Sequence, residues 1–228
     1  MKIQVGPVLK VPITNTNEWF IKTTKSPDLE GEVKRRFFPS PRIDSLISRV
    51  RNGLLFTNYF YSSGVGGDMI VSCGDGRRLI LIEVNSNDPI CCFSFQHLIG
   101  YTSNIIIESH MNLSLAASIA DRIFTHAARC MSISQQGYLL METRGQPVML
   151  HNEHQTFDIR RMIAWDPRVE FWFEELVGMV DVVMTPAQVH ARQNRLDDAV
   201  LLSADDSESE KFVSRIIRQL ISIVIPTF

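Results

Sequence analysis

Apolar and polar positions alternate along much of this chain, and that two-residue period predicts strands. Near the start, Ile3, Val5, Val8, Val11 and Ile13 recur between polar neighbours and are broken by Pro7 and Pro12. Residues 1–21 therefore read as an edge strand or extended arm. Residues 22–45 are polar and proline-containing, with Lys34-Arg35-Arg36-Phe37-Phe38 at their centre, and read as a solvated loop anchored by its aromatics. From Leu46 the strand signals become dense. Met69 to Cys73 is followed by Gly74-Asp75-Gly76 and then by Leu79 to Val84. An Asp-Gly pair supplies the positive φ values of a tight turn, so the pattern predicts a hairpin. Gly64-Val65-Gly66-Gly67 lacks the Lys-Ser/Thr and the following helix of a phosphate loop, and no phosphate site is expected there.

An internal echo organises the middle of the chain. With no gap, Phe93 falls on Phe157, Phe95 on Ile159, Leu98 on Met162 and Ile99 on Ile163. Gly100 then falls on Ala164, Tyr101 on Trp165, Ile105 on Val169 and Ile107 on Phe171. Each copy reads as a strand, a small residue beside an aromatic, a polar turn and another strand. An apolar strand also precedes each copy, Leu79 to Val84 and Val148 to Leu150. Two copies of one β unit, packed together to bury faces that neither buries alone, account for the pattern.

Two segments switch to helical period. Leu113, Ala116, Ala117, Ala120, Ile123, Phe124, Ala127 and Met131 predict a helix between the halves. Thr185-Pro186-Ala187-Gln188 and Ser207-Glu208-Ser209-Glu210 are capping boxes. The second opens a helix striped by Val213, Ile216, Ile217, Leu220, Ile221 and Val224, with Asp205, Asp206, Glu208 and Glu210 placed to suit its dipole. That stripe docks on the protein's own core or on a partner.

Composition narrows the function classes. The 228 residues are 45% hydrophobic and 21% charged, which excludes wholesale disorder, collagen and coiled coil. Net charge is -2 and the sequence pI about 6.3, so no overall positive field holds the chain on nucleic acid or an anionic membrane. Cys73, Cys91, Cys92 and Cys130 form no CxxC pair and no disulfide framework. No leader is read in residues 1–16, and the apolar run 220–228 is too short to span a bilayer. A cytoplasmic protein with free thiols is expected.

Candidate chemistry is sparse. Gly145 stands before His151-Asn152-Glu153-His154. A metal-binding cupin half has Gly, five residues, then His-x-His followed by Glu, so that alternate side chains of one strand converge on the ion. An H-x-x-H spacing in a strand or turn does not put both imidazoles on one face, and the acid is misplaced. A polar turn is the reading adopted, with no metal, cofactor or catalytic residue assigned. Asp75, Asp158, Asp166 and Glu170 have turn or solvent-face explanations, and no nucleophile elbow, zincin, Walker or Rossmann motif is present.

Taken together, Gly137-Tyr138-Leu139-Leu140, Thr143-Arg144-Gly145, Phe157-Asp158, Met162-Ile163-Ala164-Trp165-Asp166 and Val169-Glu170-Phe171 resemble the altered inheritance of mitochondria protein 24 family. The resemblance covers roughly residues 54–175. It implies a β fold like that of the tryptophan RNA-binding attenuator protein, made of two like halves and commonly oligomeric, with no established catalytic residues. Members occur in bacteria and mitochondria, so a mitochondrial location rests on the resemblance alone. The family joins its halves by a Gly-rich loop and strand where this chain has the Ala-rich segment 113–128. The proline-containing arm and the acidic-capped C-terminal helix are additions.

The expectation is therefore a mainly β, internally duplicated antiparallel β-sandwich or barrel-like domain with an inter-half helix and C-terminal helices. It divides into an arm and loop (1–45), a duplicated β domain (46–184) and a helical tail (185–228). Its expected role is that of a non-enzymatic, self-associating scaffold or interaction module. A homo-oligomer is expected, with a protein partner through the C-terminal helix, no nucleic acid and no membrane span. The alternative is a cupin-like, small-ligand or metal-dependent β-barrel enzyme using His151, Glu153 and His154.

Overall fold

Leu79, Ile80, Leu81 and Ile82 are consecutive and all buried. A strand buries consecutive side chains only when both faces of its sheet are covered. A computed structural model shows how this is done; it describes residues 2–39, 43, 49, 54–85, 90–109, 127–133, 136–150, 155–158, 161–165, 170–173, 188–192 and 200–202. Its strands, in chain order, begin with β1 (Lys2–Gly6), β2 (Val8–Ile13), β3 (Trp19–Lys22), β4 (Asp28–Pro39), β5 (Phe56–Ser72) and β6 (Arg77–Asn85). They continue with β7 (Ile90–Ser94), β8 (Leu98–Thr102), β9 (Ile105–Ser109), β10 (Ala127–Ser132), β11 (Gln136–Arg144) and β12 (Val148–Leu150). The last are β13 (Gln155–Asp158), β14 (Met162–Trp165), β15 (Glu170–Phe173), β16 (Gln188–Arg192) and β17 (Val200–Leu202).

The protein is mainly β, built on a nearly closed, barrel-like sheet. That sheet runs β1-β6-β11-β8-β3-β5-β2, with β4 on the other side of β5. One of its faces encloses Val11, Ile13, Trp19, Ile21, Phe60, Met69, Val71, Leu79, Leu81, Ile99 and Leu140. The opposite face, with Phe20, Ile80, Ile82, Val84, Leu98, Tyr101, Leu139 and Met141, packs on Phe93, Ile105, Ile107, Cys130, Ile163 and Leu201 of a second sheet. The second sheet runs β12-β17-β14-β7-β10-β9, and a third runs β13-β16-β15. Burial of β6 and β8 on both faces explains why their sequences are continuous apolar runs.

Gly100 sits where two strands of the barrel meet closely. A Cβ at this position would lie 2.6 Å from the Phe20 carbonyl oxygen and 2.3 Å from the Ile21 Cδ1 of β3. Only glycine fits without displacing backbone.

The turn at Gly74-Asp75-Gly76 forms, with φ 73° at Gly76 and a 3.1 Å hydrogen bond from the Arg77 N–H to the Gly74 carbonyl. It does not close the expected hairpin, however. β5 pairs with β2, β3 and β4, whereas β6 pairs with β1 and β11. The chain turns a corner here instead of doubling back, and the paired segment β1–β2 bends with it at Pro7. The Cys73 N–H donates to the Pro7 carbonyl at 3.1 Å across this corner.

Other expectations also change. The polar segment 22–45 is not simply a loop, because it carries the twelve-residue strand β4. Ala127 and Met131, counted into the inter-half helix, lie on strand β10 between β7 and β9. Gln188, read as part of a helix start, lies on strand β16, and β17 also falls in the tail expected to be helical, because both pair with neighbouring strands. Residues 110–126 and the C-terminal helix over 207–224 lie outside the described residues.

Strand pairing repeats between the two echoed segments. The orders β6-β11-β8 and β7-β10-β9 recur as β12-β17-β14 and β13-β16-β15. Leu139, Leu140 and Met141 pair with Tyr101, Gly100 and Leu98, skipping Ile99. Val200, Leu201 and Leu202 pair with Trp165, Ala164 and Met162, skipping Ile163. The bulge thus falls at positions that the sequence echo aligns.

Candidate functional site

Two polar clusters stand out among the described residues. The first gathers on Glu142 of β11. Its carboxylate accepts from Lys25 Nζ at 2.7 Å and from Arg77 Nη1 at 2.9 Å. Its backbone N–H donates to the His97 carbonyl at 2.8 Å, and its carbonyl lies 3.0 Å from His97 Nδ1. A carbonyl only accepts, so Nδ1 carries the proton and Nε2 accepts from Gln96 Nε2 at 3.2 Å. Burial, partly offset by the Glu142 carbonyl, pushes the His97 pKa down to about 4. The ring is neutral at pH 7, both nitrogens are committed, and its solvent exposure is 6%. This histidine pins the β7–β8 turn to β11; neither nitrogen is left for a metal or for proton transfer.

The second cluster is the ribbon of β4 and β5. Every residue of β4 except Val33 is exposed. Phe37 and Phe38, 49% and 46% exposed, are nevertheless ordered by cross-strand rings. Phe37 stacks on Phe56 with centroids 5.0 Å apart, and Phe38 meets Tyr59 at 6.0 Å. Tyr59 continues the row to Tyr61 at 5.4 Å and to Phe20 at 4.9 Å, and the Arg36 guanidinium lies 5.1 Å from the Tyr61 centroid. Each such pair contributes on the order of 0.5–1 kcal/mol, enough to hold a strand that buries almost nothing. Burial and a hydrogen bond to Glu18 raise the Tyr59 hydroxyl above its ordinary pKa.

Charge along β4 is split. Asp28, Glu30 and Glu32 occupy its first half, and Lys34, Arg35 and Arg36 its second. Glu30 and Asp68 hold Lys10 at 2.8 and 3.1 Å, and Glu32 Oε2 accepts from the Val65 N–H at 3.2 Å. Lys34, Arg35 and Arg36 form no salt bridge among the described residues. The surface offers cations, carboxylates and ring faces.

Lys34 to Phe38 are thus on an exposed strand, while His151, Glu153, His154 and Asp166 lie outside the described residues. Gly64 to Gly67 fall within β5, Asp75 in the corner, Asp158 on β13 and Glu170 on β15. No three His, Cys, Asp or Glu side chains gather as a metal site among the described residues. Cys73 and Cys130 are free thiols. Sequence reading missed the β5 half of the ribbon, although the dense aromatics Phe56, Tyr59, Phe60 and Tyr61 announce it. The contacts of Glu142 with Lys25 and Arg77 have no local signal.

No helix among the described residues is long and apolar enough to cross a membrane. No family model and no curated protein matches the chain significantly. Protein SPYM3_0169 from Streptococcus pyogenes, known from an X-ray crystal structure, is similar over 95% of this chain and 99% of its own, with a TM-score of 0.58. At 10% identity, that similarity shows a shared fold.

Proposed function

We propose that the protein is a non-enzymatic, self-associating β module of the altered inheritance of mitochondria protein 24 type, built from two like halves and working in the cytoplasm. The observation that carries the reading is the β4–β5 ribbon, where the Phe37 and Phe38 rings and the charges of Lys34 and Arg35 are exposed. Two neighbouring phenyl rings left half in water are a costly arrangement for a chain that gains nothing by covering them. Support for the two halves comes from the repeated strand order and the bulge that recurs at Ile99 and Ile163. Three acids balance three bases on β4, which favours a protein surface over a polyanion. The free thiols Cys73 and Cys130 fit a reducing compartment.

Light scattering on the purified chain across a micromolar dilution series is the test. An oligomer that dissociates on dilution is expected. A monomer at every concentration would overturn the reading.

A further inference from the structure

β4 is an edge strand. It pairs with β5 along one side, and no strand among the described residues pairs with its other side. The open edge is twelve residues long, bent at Gly31 where φ is 81° and the register on β5 shifts; it is an invitation to another strand, and its sequence decides which one. Pairing antiparallel about Val33 sets Glu32 opposite Lys34 and Glu30 opposite Arg36, each twice by symmetry. Leu29 then meets Phe37, Asp28 meets Phe38, and Arg35 comes opposite Gly31, where no side chain stands in its way.

Neighbouring registers are less favourable, in charge or in face. Sliding by one rung in either direction puts Lys34 opposite Lys34 or Glu32 opposite Glu32, and in-register parallel pairing opposes every charge to its like. Sliding by half a rung sets the outer face of one copy against the inner face of the other. Pro27 and Pro39, which have no N–H, bound the stretch at equal distances from Val33, so both copies run out of donors at the same rung. The Oε1 atoms of Glu30 and Glu32 make no hydrogen bond among the described residues, and remain available to a second copy.

We infer that a second copy of this chain docks antiparallel on β4 about a two-fold axis at Val33, joining two barrel sheets edge to edge. This rests on the self-association proposed above and names its surface and register. A two-fold contact of this kind is self-complementary and closes at a dimer.

Three proteins decide it, compared by light scattering over a dilution series: the wild type, Lys34→Glu, and Glu32→Lys/Lys34→Glu. The Lys34 side chain makes no hydrogen bond or ion pair among the described residues, so its reversal disturbs chiefly the edge. The single variant is expected to weaken the dimer by about tenfold or more, because two ion pairs become two like-charge pairs. The double variant is expected to restore it. The Glu30→Arg/Arg36→Glu exchange repeats the logic one rung out, against Arg36→Glu alone. A dimer indifferent to Lys34→Glu and Arg36→Glu, or one that neither double exchange restores, overturns the β4 interface and leaves self-association standing. A wild type that is monomeric throughout removes both.

Discussion

β8 and β4 are strands of one sheet with opposite characters. All five residues of β8 are buried, between β3 and β11 and with apolar side chains on both faces. Eleven of the twelve residues of β4 are exposed, and one edge of the strand is open. Burial holds the first strand, whereas cross-strand rings and backbone pairing hold the second. A substitution that wrecks one should therefore barely be felt in the other, and in β4 it should register in association instead of folding.

The largest expected difference is in ring truncation. Trp19→Ala inside the barrel and Phe93→Ala between the sheets, both 0% exposed, should each cost about 3–5 kcal/mol in urea unfolding. Phe38→Ala should cost about 1 kcal/mol. Equal losses would mean that the ribbon belongs to the core and that the contrast is false.

The buried side of the comparison should also respond to acid. Folded His97 stays neutral down to about pH 4, while the unfolded chain takes up its proton near pH 6.5. Between those values the unfolded state binds more protons, so stability is complete above pH 6.5 and is lost as pH falls towards 4. The loss should approach roughly 3 kcal/mol, measured as unfolding midpoints against pH. His97→Gln should flatten that slope, and Lys34→Ala should leave it unchanged. An equal slope in His97→Gln would place the acid sensitivity elsewhere.

Glycine gives a smaller and sharper contrast. Gly100→Ala drives a Cβ into the Phe20 carbonyl and should cost about 1–3 kcal/mol. Gly64→Ala on β5 meets the end of the Glu32 side chain, which can swing away, and should stay within about 0.5 kcal/mol. Smallest of all, Lys34→Ala should leave the unfolding midpoint of a dilute sample within about 0.5 kcal/mol of wild type while its association weakens. A large stability loss there would mean that Lys34 serves the fold.

The contrast also explains what could be read from the sequence. Leu79 to Val84 and Phe93 to Ile107 announced strands because burial demands apolar residues at fixed spacing. β4 announced nothing: Glu-Gly-Glu-Val-Lys-Arg-Arg is wet on both faces, so no alternation marks it, and only its position beside β5 makes it a strand. At Ala127 and Met131 the helical spacing was real, but pairing with β7 and β9 prevailed over it, since propensity is weaker than tertiary context. Gly74-Asp75-Gly76 showed the turn correctly but not its partners, because Asp-Gly fixes local φ values and says nothing of which strands lie alongside. For the candidate site, Lys34 to Phe38 were visible as a cluster; how they are held emerged only when β5 supplied the facing rings.

The corner at Pro7 and Cys73 bears on the order of assembly. Lys2 pairs with Glu83 and Val8 with Ser72, so β1 and β2 have nothing of this sheet to pair with until the growing chain has passed those residues. These pairings join segments far apart in the chain, and refolding should be slow, as pairings between distant segments are. A stalled or truncated nascent chain would display β1 and β2 as bare strands, and it is at this stage that the sequence depends most on Pro7 and Pro12 to discourage pairing with the wrong neighbour.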